Sequence, residues 1–187
     1  HVPGRVRGHS TKDLIAAAAE PLPDFDDAAF AAAFDRYADK RVVLLGECSH
    51  GTSEFYRARD AITRHLVQQH GFSIIAVEAD WPDAAAVNRY VRHRPPRMEA
   101  GPVFQRFPTW MWRNVEVAAL VEWLREFNAE RSEAQAGFYG LDMYSMGASI
   151  AAVLEYLEQV DPHAATVARE RYGCLTPWQQ SPATYGR

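Results

Sequence analysis

The sequence predicts an α/β fold: a mostly parallel β-sheet with helices on both faces. Three observations lead there. Three short apolar runs, Val42-Val43-Leu44-Leu45, Ile74-Ile75-Ala76-Val77 and Gly137-Phe138-Tyr139-Gly140-Leu141, have the length and bulk of buried strands. Helix-period segments separate them, and alternating strands and helices favour parallel, right-handed crossovers. Each run then delivers an acidic residue at its carboxyl end, Glu47, Glu78 and Asp142, where open α/β sheets carry their active sites.

Taken in order, residues 1–24 read as an irregular N-terminal segment broken by an Ala-rich turn from Leu14 to Glu20. Asp26 or Asp27 can N-cap a helix to about Tyr37, with Phe30, Phe34 and Tyr37 on one face. The first strand, 41–45, follows. Thr52 or Ser53 caps the next helix, whose apolar positions Phe55, Ala58, Ile62 and Leu66 share a face and which Gly71 ends. Strand 73–78 leads into Asp80-Trp81-Pro82-Asp83, which opens a helix to about Val91; aspartates there suit the helix dipole. Residues 94–108 hold four prolines and read as a long loop, of the kind that walls or covers a site. An amphipathic helix from about Trp112 to Asn128 turns Val117, Leu120, Val121 and Leu124 inward. Strand 137–141, a helix from Met146 to Gln159, and a helix capped by Asp161-Pro162 and ending near Gly173 complete the chain. No internal repeat is present.

With 187 residues, 48% of them hydrophobic and 24% charged, the chain has material for one domain with a sizeable core and is not a disordered polymer. A single α/β catalytic domain over 1–187 is therefore expected. A net charge of -4 argues against a general nucleic-acid binder, which needs a basic face. The arginines at 89, 92, 94 and 97 read as a solvated helix end and loop. No run of about 18 apolar residues exists to span a membrane. The two cysteines, Cys48 and Cys174, have neither metal-ligand spacing nor the density of a disulfide framework, and a reducing cytoplasm is the expected compartment. The chain begins at His1 and stops in a Pro/Gln-rich stretch without a closing element, so a fragment incomplete at its C-terminus is expected.

The chemistry concentrates in Gly46-Glu47-Cys48-Ser49-His50-Gly51-Thr52, the turn between the first strand and the next helix. His50 is the natural general base near neutral pH, and Glu47 or Glu78 can fix its tautomer and support its charged form. Arg59, on the second turn of the following helix, is placed to reach Glu47 or Glu78, or to stabilise negative charge on a substrate. The first amides of that helix, around Thr52 to Glu54, suit an oxyanion. Trp81 and Trp110 are expected to wall a substrate pocket, with Trp112 beside them, and Asp142 to contribute to substrate binding or to cap the following helix. Cys48 and Ser49 raise covalent catalysis, but adjacent side chains diverge and no G-x-S-x-G elbow occurs, so water is the expected nucleophile. No cofactor is expected. A divalent metal on Glu47, His50 and Glu78 stays open, without an H-E-x-x-H signature to support it.

These residues carry a family resemblance. Leu45-Gly46-Glu47-Cys48-Ser49-His50-Gly51-Thr52-Ser53-Glu54-Phe55 with Arg59, then Val77-Glu78-Ala79-Asp80-Trp81-Pro82-Asp83 with Val87-Asn88-Arg89-Tyr90-Val91, then Pro108-Thr109-Trp110-Met111-Trp112-Arg113-Asn114, then Gly140-Leu141-Asp142, together resemble the erythromycin esterase family. The resemblance implies an erythromycin-esterase-like α/β hydrolase, distinct in topology from the serine α/β-hydrolases. It implies that the residue at His50 is the base that activates water against a macrolide lactone, and that Glu47, Arg59 and Glu78 share its cleft. It also implies that the thiol of Cys48 is dispensable, since relatives carry small residues there, and that a longer second half supplies further active-site histidines. The expected partner is a small-molecule ester or lactone, and macrolide resistance the expected biological role. Oligomeric state stays open. Two alternatives stand beside it: a metal-dependent hydrolase built on the same Glu/His cluster, and a non-enzymatic small-molecule-binding module.

Overall fold

The computed structural model describes residues 10–96, 103–105, 109–142 and 145–179. Eight α-helices and two strands are formed among them. Strands β1 (Ile74–Val77) and β2 (Gly137–Gly140) are parallel neighbours, with Ile74 opposite Gly137 and Val77 opposite Gly140. The crossover between them carries helices α4 (Trp81–Val91), α5 (Thr109–Trp112) and α6 (Val115–Ala129).

The expected third strand does not form. Residues 41–45 have no ladder with β1, and no backbone hydrogen bond among the described residues joins the two segments. The reason is spatial. Val43, Leu45 and Gly46 line, with Ile74, Ile75 and Val77 of β1, one apolar cavity of about 380 Å3 where a ladder was expected. Leu44 is left 89% exposed, and Ile74 on β1 is exposed as well. Burial on both sheet faces is thus not achieved at this edge.

On the other edge of β1 the apolar residues are buried and packed. Val67, Val87, Val91, Leu124 and Phe138 pack together, with Ala84 and Ala136 filling the narrow gaps. Asn128 of α6 is fully buried there. Its Nδ2 donates to the carbonyls of Val91 (2.9 Å) and Ala136 (2.8 Å), and its Oδ1 accepts from the Ala136 amide (2.9 Å). A buried amide so fully paired ties the end of α4 to the start of β2; stranding those partners would cost about 1–3 kcal/mol each. Gly140 lets β2 lie close to the β1–α4 turn, because a Cβ there would sit 2.6 Å from the Ala79 carbonyl oxygen.

Helix α3 (Ser53–His70) spans the molecule between its two clusters of polar chemistry. Ile62 and Leu66 pack against Phe30 of α2 (Ala28–Ala32) in a second apolar cluster. Asp27 caps α2 through the Ala29 amide (2.8 Å). The helix expected to reach Tyr37 instead stops at Ala32 and continues as a 3-10 turn, Asp35–Tyr37. Ahead of these, α1 (Thr11–Ala18) forms inside the segment expected to be irregular. Ser10 and Asp13 build a reciprocal capping box that offsets the lack of any buried residue on that helix. Helices α7 (Met146–Val160) and α8 (Pro162–Gly173) follow, the latter capped by Asp161 as its sequence predicts, and a 3-10 turn, Thr176–Trp178, ends the described chain. The loop expected at 94–108 lies largely outside the described residues. No described helix is long and apolar enough to cross a membrane.

Candidate active site

The turn after residue 45 builds the site. Gly51 takes φ +78°, and a Cβ there would press to 3.3 Å from the Trp110 ring, so glycine serves both the turn and the close approach. Its amide donates to the Tyr56 hydroxyl at 3.3 Å, while Ser49 and Thr52 pair through their hydroxyls at 2.8 Å. Burial pushes the Tyr56 phenol above its ordinary range, so it stays a neutral strut under the turn. The turn thereby holds Glu47 and His50 on one side.

The Glu47 side chain is only 5% exposed, whereas that of His50 is 45% exposed. Glu47 Oε1 lies 2.5 Å from His50 Nδ1. A carboxylate there accepts the Nδ1 proton, which places the lone pair of a neutral imidazole on the outward Nε2. The other carboxylate oxygen, Oε2, is 2.9 Å from Arg59 Nη2. That contact is an ion pair without an aligned N–H, so Oε2 is buried beside a positive charge yet has no hydrogen-bond donor aimed at it. Arg59 is held from its other sides by the Tyr56 ring (4.8 Å) and the Trp112 ring (6.0 Å). Of the targets open to it in sequence, Arg59 therefore takes Glu47.

The remaining expected residues separate. Glu78 does not pair with His50; it lines the apolar cavity with Gly46, Arg59 and Glu116, and its backbone carbonyl accepts from Trp112 Nε1 at 2.9 Å. Trp110 is the aromatic that meets the site, its ring 6.2 Å from that of His50 and tilted by 49°. The backbone of Trp81 packs under Gly140 instead. Asp142 adopts φ +68° and accepts from Ser149 Oγ at 2.9 Å, which fastens the β2 exit to α7. Asp80, unremarked in sequence beyond its helix-opening role, accepts from the buried Ser145 amide at 3.1 Å. Cys48 is exposed.

A metal held by Glu47, His50 and Glu78 requires three donors at one point. Among the described residues the His/Cys/Asp/Glu group whose ligand atoms all converge is Asp35, His65 and His70. The Glu47–His50 pair is a hydrogen-bonded carboxylate–imidazole contact that Glu78 does not join. Three residues beyond His50, the amides of Ser53 and Glu54 open α3 without a side-chain cap from Thr52, the situation of helix N-termini that meet anions. Sequence reading missed two residues of this neighbourhood, Tyr56, which supports the turn and Arg59, and Glu116. Glu116 of α6 accepts from Ser53 Oγ, a contact 63 residues apart that no local pattern announces. That bond holds the Glu116 carboxyl below its ordinary range.

A family described as erythromycin esterase matches residues 67–187, a span that begins after the Glu47–His50 turn. A protein of Escherichia coli named erythromycin esterase type II is 31% identical over 111 residues, which are 59% of this chain and 25% of that protein. The chain thus spans about a quarter of that relative's length. Two solved structures share the fold, each at a TM-score of 0.67. One, titled a succinoglycan biosynthesis protein, is 24% identical over 88% of this chain and 42% of its own. The other, a Bacillus cereus protein, is 22% identical over 89% of this chain and 41% of its own.

Proposed function

Because this chain belongs to the erythromycin esterase family, we propose that it acts as a hydrolase in which His50 activates water against the carbonyl of an ester or macrolide lactone. The observation that carries this reading is the 2.5 Å contact between the exposed His50 ring and the buried carboxylate of Glu47. In the proposed reaction, His50 Nε2 takes a proton from water as its oxygen attacks the carbonyl carbon. Glu47, already bonded at Nδ1, stabilises the imidazolium that forms. Arg59 is a positioning residue, fixing the second oxygen of Glu47 rather than touching substrate. The Ser53 and Glu54 amides receive the developing oxyanion. Collapse of the tetrahedral intermediate breaks the carbon–oxygen bond, and the alkoxide leaves with the proton returned from His50. The products are a carboxylic acid and an alcohol, joined in one chain when the substrate is a lactone. Trp110 supplies an apolar wall beside the base, and Glu78 lines the adjoining cavity beside Arg59.

The test is hydrolysis of simple aryl esters and of macrocyclic lactones by purified protein in oxygen-18 water. Water attack places one heavy oxygen in the acid and leaves no acyl-enzyme on quenching. A trapped thioester on Cys48, or turnover unchanged by His50→Ala, overturns the mechanism. Tight ligand retention without turnover of any ester points instead to a binding module.

A further inference from the structure

The far end of α3 carries a second cluster that the proposed hydrolysis does not use. His65 and His70 both turn their Nε2 atoms to one atom, Oδ1 of Asp35 in the 3-10 turn, at 2.6 and 2.7 Å. Five residues separate the two histidines, which on a regular helix leaves them about 140° apart around the axis. They converge because both reach across to the same carboxylate on a neighbouring element. Their rings meet edge to face at 5.3 Å. All three side chains are partly exposed.

We propose that Asp35, His65 and His70 form a binding site for a divalent first-row transition metal of the zinc, cobalt or nickel class. Two imidazoles and one carboxylate are the donors such ions take, whereas magnesium and calcium prefer oxygen alone. The three ligand atoms already lie within 4.8 Å of one another. Zinc bonds of about 2.0–2.2 Å place neighbouring ligand atoms roughly 3.3 Å apart in a tetrahedron. The Nε2–Oδ1 separations therefore open by about 0.6 Å on binding, a movement open to partly exposed side chains by small rotations. Both imidazoles then carry their proton on Nδ1 and give the Nε2 lone pair to the ion. One carboxylate oxygen, which serves two imidazoles by hydrogen bonding alone, is replaced at the centre by a divalent charge that bonds all three. Three protein donors leave a further position for water.

The site is separate from His50. His70 lies seventeen residues beyond Ser53 on α3, about 26 Å along the helix axis. Its consequence is mechanical: the ion clips the 3-10 turn, and with it the α2 region, to the last turns of α3. Binding only to the folded form, it raises stability by mass action.

The experiment uses the full 187-residue chain, stripped with EDTA and titrated with zinc and cobalt chlorides. Calorimetry, the visible absorption of bound cobalt and the melting temperature are read together. One equivalent binds, the melting temperature rises by several degrees at saturation, and EDTA reverses the rise. His65→Gln, His70→Gln and Asp35→Asn each weaken binding at least about tenfold, while His163→Ala on α8 leaves it unchanged. Far-UV circular dichroism and metal-free melting of each variant separate lost ligation from lost folding. If a single variant fails to fold, the cobalt spectrum of the wild type decides, since two imidazole nitrogens and a carboxylate give a spectrum distinct from that of hydrated cobalt. Absence of stoichiometric zinc and cobalt binding by the wild type overturns the proposal. So does binding that survives the double variant His65→Gln/His70→Gln, or that disappears in His50→Gln instead.

Discussion

Helix α3 has a histidine–carboxylate cluster at each end, and the two are built to opposite plans. At its N-terminal end one histidine meets a carboxylate that is 5% exposed, and a guanidinium faces that carboxylate's second oxygen. At its C-terminal end two histidines meet a carboxylate whose side chain is 49% exposed. A single imidazole backed by a buried, charge-paired carboxylate has one outward nitrogen, which suits proton transfer. Two imidazoles converging on one exposed oxygen have their nitrogens turned to a common point, which suits a shared ion. The same residue types therefore specialise by number and by burial of the acid.

The largest expected effect comes from His50→Ala, which lowers hydrolysis by about 10²–10⁴-fold. Little core packing is lost with this half-exposed ring, so the melting temperature should hold; a fall in both would make the residue structural. Glu47→Gln follows, at about 10²-fold in kcat with a weaker effect on KM, because the neutral amide no longer stabilises the imidazolium. Steady-state kinetics read beside the melting temperature check this, since loss of the carboxylate lowers kcat with the fold intact, whereas a merely structural role lowers the melting temperature and activity together. Arg59→Met removes the cation beside a buried carboxylate and should cost about 2 kcal/mol of stability, discounted for the partial exposure of Arg59. Chemical denaturation measures it, and an unchanged midpoint would show that Arg59 does not hold Glu47.

A smaller effect attaches to the Ser53–Glu116 contact that anchors this same end of α3. The hydrogen bond from Ser53 holds Glu116 below the ordinary glutamate range. A depressed carboxyl contributes stability above its unfolded pKa of about 4.3 and loses it as pH falls through the folded value. Ser53→Ala should therefore lower the melting temperature at neutral pH and flatten its decline below about pH 4.3. Parallel melting curves for the two proteins across that window would dismiss the contact. Least of all, Cys48→Ala should change turnover by less than about twofold, since water rather than the thiolate attacks. A dead Cys48→Ala protein with an intact fold would reverse that assignment.

What the sequence by itself determined is local. The turn-to-helix passage from Glu47 and His50 into α3, the strand positions of β1 and β2, the stop at Gly71 and the Asp161 cap all follow from short patterns, because periodicity and capping act over a few residues. Tertiary structure alone decided what needed a distant partner. Residues 41–45 have the composition of a strand, but a strand also needs a neighbour within bonding distance, and the cavity beside β1 denies it one. Arg59 could reach two acids in sequence, and the stacking of Tyr56 and Trp112 around it chose Glu47. Asp35 lies thirty residues before His65, and a five-residue gap between histidines signals no shared helix face, so their meeting was invisible until α3 packed against the 3-10 turn. Such convergence depends on how elements dock, and docking is set by the apolar contacts of Phe30, Ile62 and Leu66 rather than by the polar residues it brings together.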